Sequence, residues 1–213
     1  MNALYNIFGH FWNDFVKADD DKRIAGLVLP EGIKEVNNIA YTDSGSPYQL
    51  LDVYYPENAS GKLPVIVEIH GGGWMYGTKD LNKIYAQYLA ARGFVVFNLS
   101  YRLVPEGLVP QQLQDISKAL VKIKELMSEF PCDTDRILLT GDSAGGQLAV
   151  YTAAISLNEK LSAFFDTENH GLNFSTLVLT SPVAYMNEES LKISIEKGLT
   201  CFFSRSIFLP SVN

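Results

Sequence analysis

A short apolar run, Ile137 to Thr140, passes directly into Gly141-Asp142-Ser143-Ala144-Gly145, and a long apolar segment, Gln147 to Leu157, follows at once. Strand, abrupt turn and helix in that order form the setting in which a G-x-S-x-G pentapeptide carries structural meaning. Gly141 and Gly145 flank the serine because so sharp a turn brings backbone segments too close for a Cβ. The serine is thereby forced into a strained conformation, its hydroxyl projecting at the carboxyl end of the strand. A helix beginning at Ala144 aims unpaired N–H groups and its positive dipole end at the same spot. The stretch predicts a nucleophile, Ser143, placed by backbone geometry.

The rest of the chain is punctuated to match. Residues 3 to 17 set Leu4, Ile7, Phe8, Phe11, Trp12 and Phe15 at helical spacing, which predicts a helix docked on the core. Asn38 to Asp43 and Gln49 to Tyr55 read as two strands joined by Ser44-Gly45-Ser46-Pro47, a hairpin at the sheet edge. From Pro64 the pattern becomes strands alternating with helices. Val65 to Ile69 is a continuous apolar strand. Asp80 to Arg92 is a helix with Leu81, Ile84, Tyr85, Tyr88 and Leu89 on one face, stopped by Gly93. Phe94 to Leu99 is a further apolar strand. Gln111 to Phe130 carries the clearest helical stripe (Leu113, Ile116, Leu120, Ile123, Met127 and Phe130), with Pro131 ending it. Leu177 to Thr180 is the last strand. Buried strands alternating with helices predict one α/β domain, a mostly parallel sheet with helices on both faces.

A second motif, His70-Gly71-Gly72-Gly73-Trp74, follows the strand Val65 to Ile69. Three consecutive glycines leave N–H groups unshielded, which suits them to an oxyanion. With Gly141 to Gly146 and Tyr101-Arg102-Leu103-Val104-Pro105-Glu106, this resembles the hormone-sensitive-lipase-like esterases of the α/β-hydrolase fold. Val104 stands where that family's segment has Ala. The resemblance divides the chain into an N-terminal cap-like helical segment (residues 1–36), an incomplete hydrolase core (37–182) and a divergent C-terminal tail (183–213). It implies a small-molecule carboxylic ester as substrate, attacked by Ser143 through an acyl-enzyme. The Gly72, Gly73 and Ala144 N–H groups would hold the oxyanion, with Gly71, Gly141 and Gly145 shaping the backbone. It also implies that His70 orients the glycine loop and is not the base. Tyr101 and Arg102 read as packing and ion-pairing residues.

The fold orders its triad as Ser, then Asp or Glu, then His. Of the three histidines, His10, His70 and His170, only His170 follows Ser143. It precedes the strand at Leu177 and so belongs at the opposite end of the sheet, roughly 20 Å away at ~3.3 Å per residue. His170 therefore reads as a surface loop residue, and Asp142 as part of the turn with its side chain pointing away from Ser143. The triad acid and histidine, and the fold's last strands, are expected to be missing from this chain. Loss of those strands leaves Leu177 to Thr180 as an apolar edge, where self-association is expected. Two other readings stay open: a non-catalytic homologue that binds a small ligand or partner, and a peptidase or amidase on the same fold.

Composition narrows the rest. A net charge of −7 with no Lys/Arg cluster argues against nucleic acid as a partner. Two distant cysteines, Cys132 and Cys201, argue against a disulfide framework, and no stretch reads as a signal peptide or a membrane span, so the expected location is cytoplasmic. No H-E-x-x-H, paired C-x-x-C or Walker loop occurs, so neither metal nor cofactor is expected.

Overall fold

The computed structural model describes residues 17–183. The aromatic helix expected over residues 3 to 17 and the tail past 183 lie outside the described residues, apart from their boundary positions. After α1 (Lys17–Ala25), six strands build one sheet: β1 (Ile33–Ala40), β2 (Leu50–Pro56), β3 (Leu63–Ile69), β4 (Val95–Leu99), β5 (Cys132–Asp142) and β6 (Thr176–Thr180). Their spatial order is β1-β2-β4-β3-β5-β6. β1 and β2 run antiparallel to their neighbours, and β4, β3, β5 and β6 are mutually parallel. The expected mostly parallel α/β sheet is what forms.

Helices cover both faces. α2 (Lys83–Ala91) lies on one, packing Ala86 and Ala90 against Tyr54, Ile66 and Val96. α3 (Val109–Leu126) and α4 (Ser143–Ser156) cover the other, where Leu113, Ile116, Leu120, Ile123, Leu148 and Ala149 meet Val53, Val65, Val67 and Phe97. α5 (Glu159–Phe165) follows α4. Apolar area on both sides of the strands is the main stabilising term of such a layered fold.

Several boundaries and faces differ from expectation. The antiparallel pair β1 and β2 does lie at the sheet edge, but β2 is its inner strand, between β1 and β4, and both Asp52 and Tyr54 are buried. Asp52 is accommodated by the Lys79 ammonium at 3.0 Å, the Tyr54 hydroxyl at 2.7 Å and the Asn38 N–H at 2.7 Å. The helix expected from Asp80 divides into a 3₁₀ turn, Lys79–Asn82, and α2. Its buried face is Ala86, Gln87 and Ala90, because small side chains let the helix lie close to the sheet, and Tyr85 is pushed outward. α3 stops at Leu126, before Pro131, because tight turns take over; Phe130 then packs edge-on against Tyr55 and Phe97. α5 has no counterpart in the periodicity because it buries no residue fully. Its signal is local: Asn158 Oδ1 caps it by accepting from the Lys160 and Leu161 N–H groups. Among the described residues, no helix is long and apolar enough to cross a membrane.

Candidate active site

The register places the two glycine motifs together. Ile69, the last residue of β3, pairs with Gly141 of β5, so the segments that leave the two strands start side by side. One enters the loop His70 to Thr78; the other turns at Ser143 into α4. Ser143 has φ +50°, a left-handed backbone that L-residues adopt rarely and at a cost. Asp142 occupies the N-cap position of α4, yet its side chain caps no N–H there, so the helix start stays open.

Close approach accounts for the glycines of the turn. A Cβ on Gly141 would lie 2.5 Å from the Gly145 carbonyl oxygen, and one on Gly145 would sit 2.6 Å from the His70 carbonyl carbon. Beyond the turn, Gly146 packs on Pro182, and the Val183 N–H donates to the Ser143 carbonyl at 3.0 Å. Among the described residues no side chain hydrogen-bonds the Ser143 hydroxyl.

In the other motif, Gly72 (φ +102°) and Gly73 (φ +59°) take conformations that favour glycine, and Trp74 follows at +63°. The loop closes on itself as the Met75 and Tyr76 N–H groups donate to the Gly72 carbonyl at 3.2 and 3.0 Å. Among the described residues, no backbone carbonyl accepts from the N–H groups of Gly72 or Gly73. Trp74 is buried, and Gln112 of α3 pins its carbonyl with an Nε2 donor at 3.0 Å.

His70 is fully buried, stacked on the Tyr101 ring at 4.4 Å, and its Nδ1 donates to the Gly71 carbonyl at 2.7 Å. Burial lowers its pKa to about 4, so the ring is neutral near pH 7. The Tyr101 hydroxyl donates to the His70 carbonyl at 2.8 Å. Arg102 grips buried Asp115 with two side-chain donors, at 2.8 and 2.7 Å, and its backbone N–H adds a third. Both residues of this segment therefore pack and pair, as their sequence context suggests.

His170 corrects the sequence reading. It is buried rather than on a surface loop: its Nε2 meets the Ser156 hydroxyl at 2.8 Å, and its Nδ1 accepts from the Leu172 N–H at 3.1 Å. A neutral ring can satisfy both. Ser156 is the last residue of α4 and Ser143 the first, so His170 is held about 20 Å from the Ser143 turn at ~1.5 Å per helical residue. His10 lies outside the described residues.

Sequence reasoning missed a carboxylate. Asp142 is not merely part of the turn: its Oδ1 accepts from the Gly71 N–H at 2.8 Å and from Asn82 Nδ2 at 2.8 Å. It ties the glycine loop to the serine turn. Asn82 also donates to Glu68 Oε1 at 2.7 Å. Nothing in the spacing of Glu68, Asn82 and Asp142 announces this, because three separate elements bring them together. No group of His, Cys, Asp and Glu suited to a metal ion exists among the described residues.

A sharp strand–turn–helix junction with a left-handed serine at the carboxyl end of a parallel strand, beside a glycine loop from the neighbouring strand, is an arrangement of the α/β-hydrolase fold. The BD-FAE family model matches residues 51–187, and the chain belongs to that family. The resemblance to hormone-sensitive-lipase-like carboxylesterases stands with it. Esterase B from Lactobacillus rhamnosis, solved with a tributyrin phosphonate, superposes with a TM-score of 0.85 at 32% identity, covering 93% of this chain and 64% of that one. A probable isoprenylcysteine alpha-carbonyl methylesterase of Arabidopsis thaliana is 34% identical over 54% of this chain and 24% of its own length. Kynurenine formamidase of Danio rerio is 28% identical over 65% of this chain and 47% of its own. The chain thus spans a quarter to under two thirds of the length of these relatives.

Proposed function

We propose that Ser143 is the acylated nucleophile of a carboxylic-ester hydrolase, and that the N–H groups of Gly72, Gly73 and Ala144 form its oxyanion hole. The observation that carries this is the left-handed Ser143 at the strand–helix junction, with the glycine loop of the adjacent strand beside it. In the step proposed, Ser143 Oγ bonds to the ester carbonyl carbon while its proton passes to a base. The tetrahedral oxygen gains charge beside the three N–H donors and the open end of α4. Collapse expels the alcohol, protonated by the same base, and water then releases the acid.

Neither His70, locked to Gly71 and Tyr101, nor His170, at the far end of α4, is arranged to be that base. With no base placed among the described residues, hydrolysis through Ser143 is expected several orders of magnitude below that of a complete triad, whose loss leaves at best about 10³–10⁴-fold over water. Hydrolysis of p-nitrophenyl acetate tests this. The expected result is a slow rate that disappears in Ser143→Ala. Turnover as fast as a complete triad gives, or a slow rate untouched by the substitution, would overturn it.

A second reading, amide rather than ester cleavage, draws on the similarity to the formamidase. The same turn and glycine loop serve an amide carbonyl, and comparing an anilide with its ester analogue separates the two. In a third, non-catalytic reading, the serine, which has no side-chain partner among the described residues, belongs to a binding pocket; ester-induced stabilisation without any turnover would favour it.

A further inference from the structure

On the face that α2 covers, a row of polar side chains crosses the sheet just below the glycine loop. The register pairs Asp52 of β2 with Asn98 of β4, Asn98 with Glu68 of β3, and Glu68 with Thr140 of β5. All four are buried. Most of their atoms are satisfied. Lys79 serves Asp52, Asn98 Nδ2 donates to the Lys79 carbonyl at 2.7 Å, and Glu68 Oε1 accepts from Asn82. Two acceptors are left without partners: Glu68 Oε2 and Asn98 Oδ1, on adjacent strands at one register position. A proton on Glu68 Oε2 would make one of them a donor to the other and remove both deficits.

Asn82 bears this out from the other side. It stands at the N-cap of α2, where an asparagine ordinarily accepts from the helix, yet its side chain caps nothing. Its two amide hydrogens go instead to Glu68 Oε1 and Asp142 Oδ1. Asp142 Oδ1 in turn receives the Gly71 N–H. A continuous chain of contacts therefore runs from the centre of the sheet to the glycine loop.

We propose that Glu68 and Asn82 are positioning residues for the acyl-transfer site. Glu68, a neutral acid with its proton directed at Asn98, holds Asn82 on Asp142 and so fixes the Gly71 loop against the Ser143 turn. The proposal rests on the reading of Ser143 as the nucleophile. Burial first, and the charge of Asp142 second, push the Glu68 carboxyl up to about 8. The groups around it are Asp142, the Asn82 amide, Tyr85 of α2, Asn98, Thr140 and neutral His70; the Lys79 ammonium is engaged by Asp52 and Asp80. When Glu68 ionises, two carboxylates face the single Asn82 amide and Asn98 loses its donor. Asp142 is then driven off Gly71. Between the ordinary glutamate value of 4.5 and about 8 the folded state binds the extra proton, so stability falls as pH rises through that window and levels off above it.

The test labels Ser143 with a p-nitrophenyl alkylphosphonate, follows the rate by intact mass, and records thermal midpoints in the same buffers from about pH 5 to about pH 9.5. Asn82→Leu is expected to label about 10²-fold more slowly than wild type, the loss that follows a shift near 1 Å in an acyl-transfer site. Glu68→Gln keeps a donor toward Asn98 and cannot ionise. Its labelling rate relative to wild type should rise above pH 8, and its midpoint should lose the decline across the window. Glu68→Leu lacks the donor and is expected to lose both rate and stability. Folded Asn82→Leu that labels at the wild-type rate, or Glu68→Gln that parallels wild type in both profiles, overturns the proposal. If wild type and Ser143→Ala are equally unlabelled, the assignment of Ser143 fails. The midpoint profiles then decide by themselves whether Glu68 is the neutral hub.

Discussion

Gly145→Ala sets two known effects against each other. Gly145 is the third residue of α4, and in a helix alanine is favoured over glycine by about 1 kcal/mol. Its φ lies outside the left-handed range, so the backbone itself would accept a side chain. The new methyl, however, would collide with the carbonyl oxygens of Ile69 and His70 and come within 2.6 Å of the His70 carbonyl carbon. These are backbone atoms at the end of β3, with no flexible side chain to give way. The start of α4 would have to retreat from the sheet by roughly 1 Å, and overpacking of this kind costs about 3 kcal/mol at the upper end of its range. The net loss is about 2 kcal/mol, a fall of roughly 4–8 °C in thermal midpoint for a chain of this size. Gly146→Ala provides an internal scale: its methyl would meet the Pro182 side chain at 2.9 Å and the Gly141 carbonyl oxygen at 3.0 Å, a milder conflict. Circular-dichroism melts should rank the two in that order. A Gly145→Ala protein that melts at or above wild type would refute close packing of α4 on β3 as the reason for this glycine.

Arg102→Ala strips a fully buried Asp115 of its two charged donors, leaving the Gln49 amide and a backbone N–H; the loss should be about 3 kcal/mol by urea denaturation. Burial lowers both His70 and His170 to about 4, so the stability they contribute is present above about pH 6.5 and lost as pH falls toward 4. His170→Gln, which can still meet Ser156, should make that acid loss shallower in pH-dependent unfolding. We further propose that β6, whose Leu177 and Val178 are exposed at the sheet edge among the described residues, pairs with a second copy. Sedimentation should then show a concentration-dependent dimer that Val178→Lys abolishes.

Much of this was legible because the signals are local. Ser143 and its flanking glycines follow from a strand ending and a helix starting within five residues, and the backbone conformation is the strained one the turn demands. The triple glycine after β3 follows in the same way, and the parallel order of strands follows from apolar runs alternating with helices. What escaped depends on contacts between distant segments. Asp142 looked idle because its partner, Gly71, lies 71 residues away and meets it only through the β3–β5 register. His170 looked exposed because its polar neighbours gave no hint of the slot between Ser156 and Phe174. The face of α2 was misjudged because its large side chains suggested a core stripe, whereas the alanines set the closest packing. Glu68 was passed over inside an apolar strand, and its link to Asn82, in a separate turn, forms only in the folded sheet.

The central claim is a covalent one, so the most direct measurement is to look for the covalent species. The chain is incubated with excess p-nitrophenyl acetate, quenched in acid and mapped by peptide mass spectrometry. With neither described histidine placed to assist deacylation, the account predicts a single acetyl group on the peptide carrying Ser143, accumulating with time and absent from Ser143→Ala. No adduct, or an adduct that persists unchanged in Ser143→Ala, would contradict it.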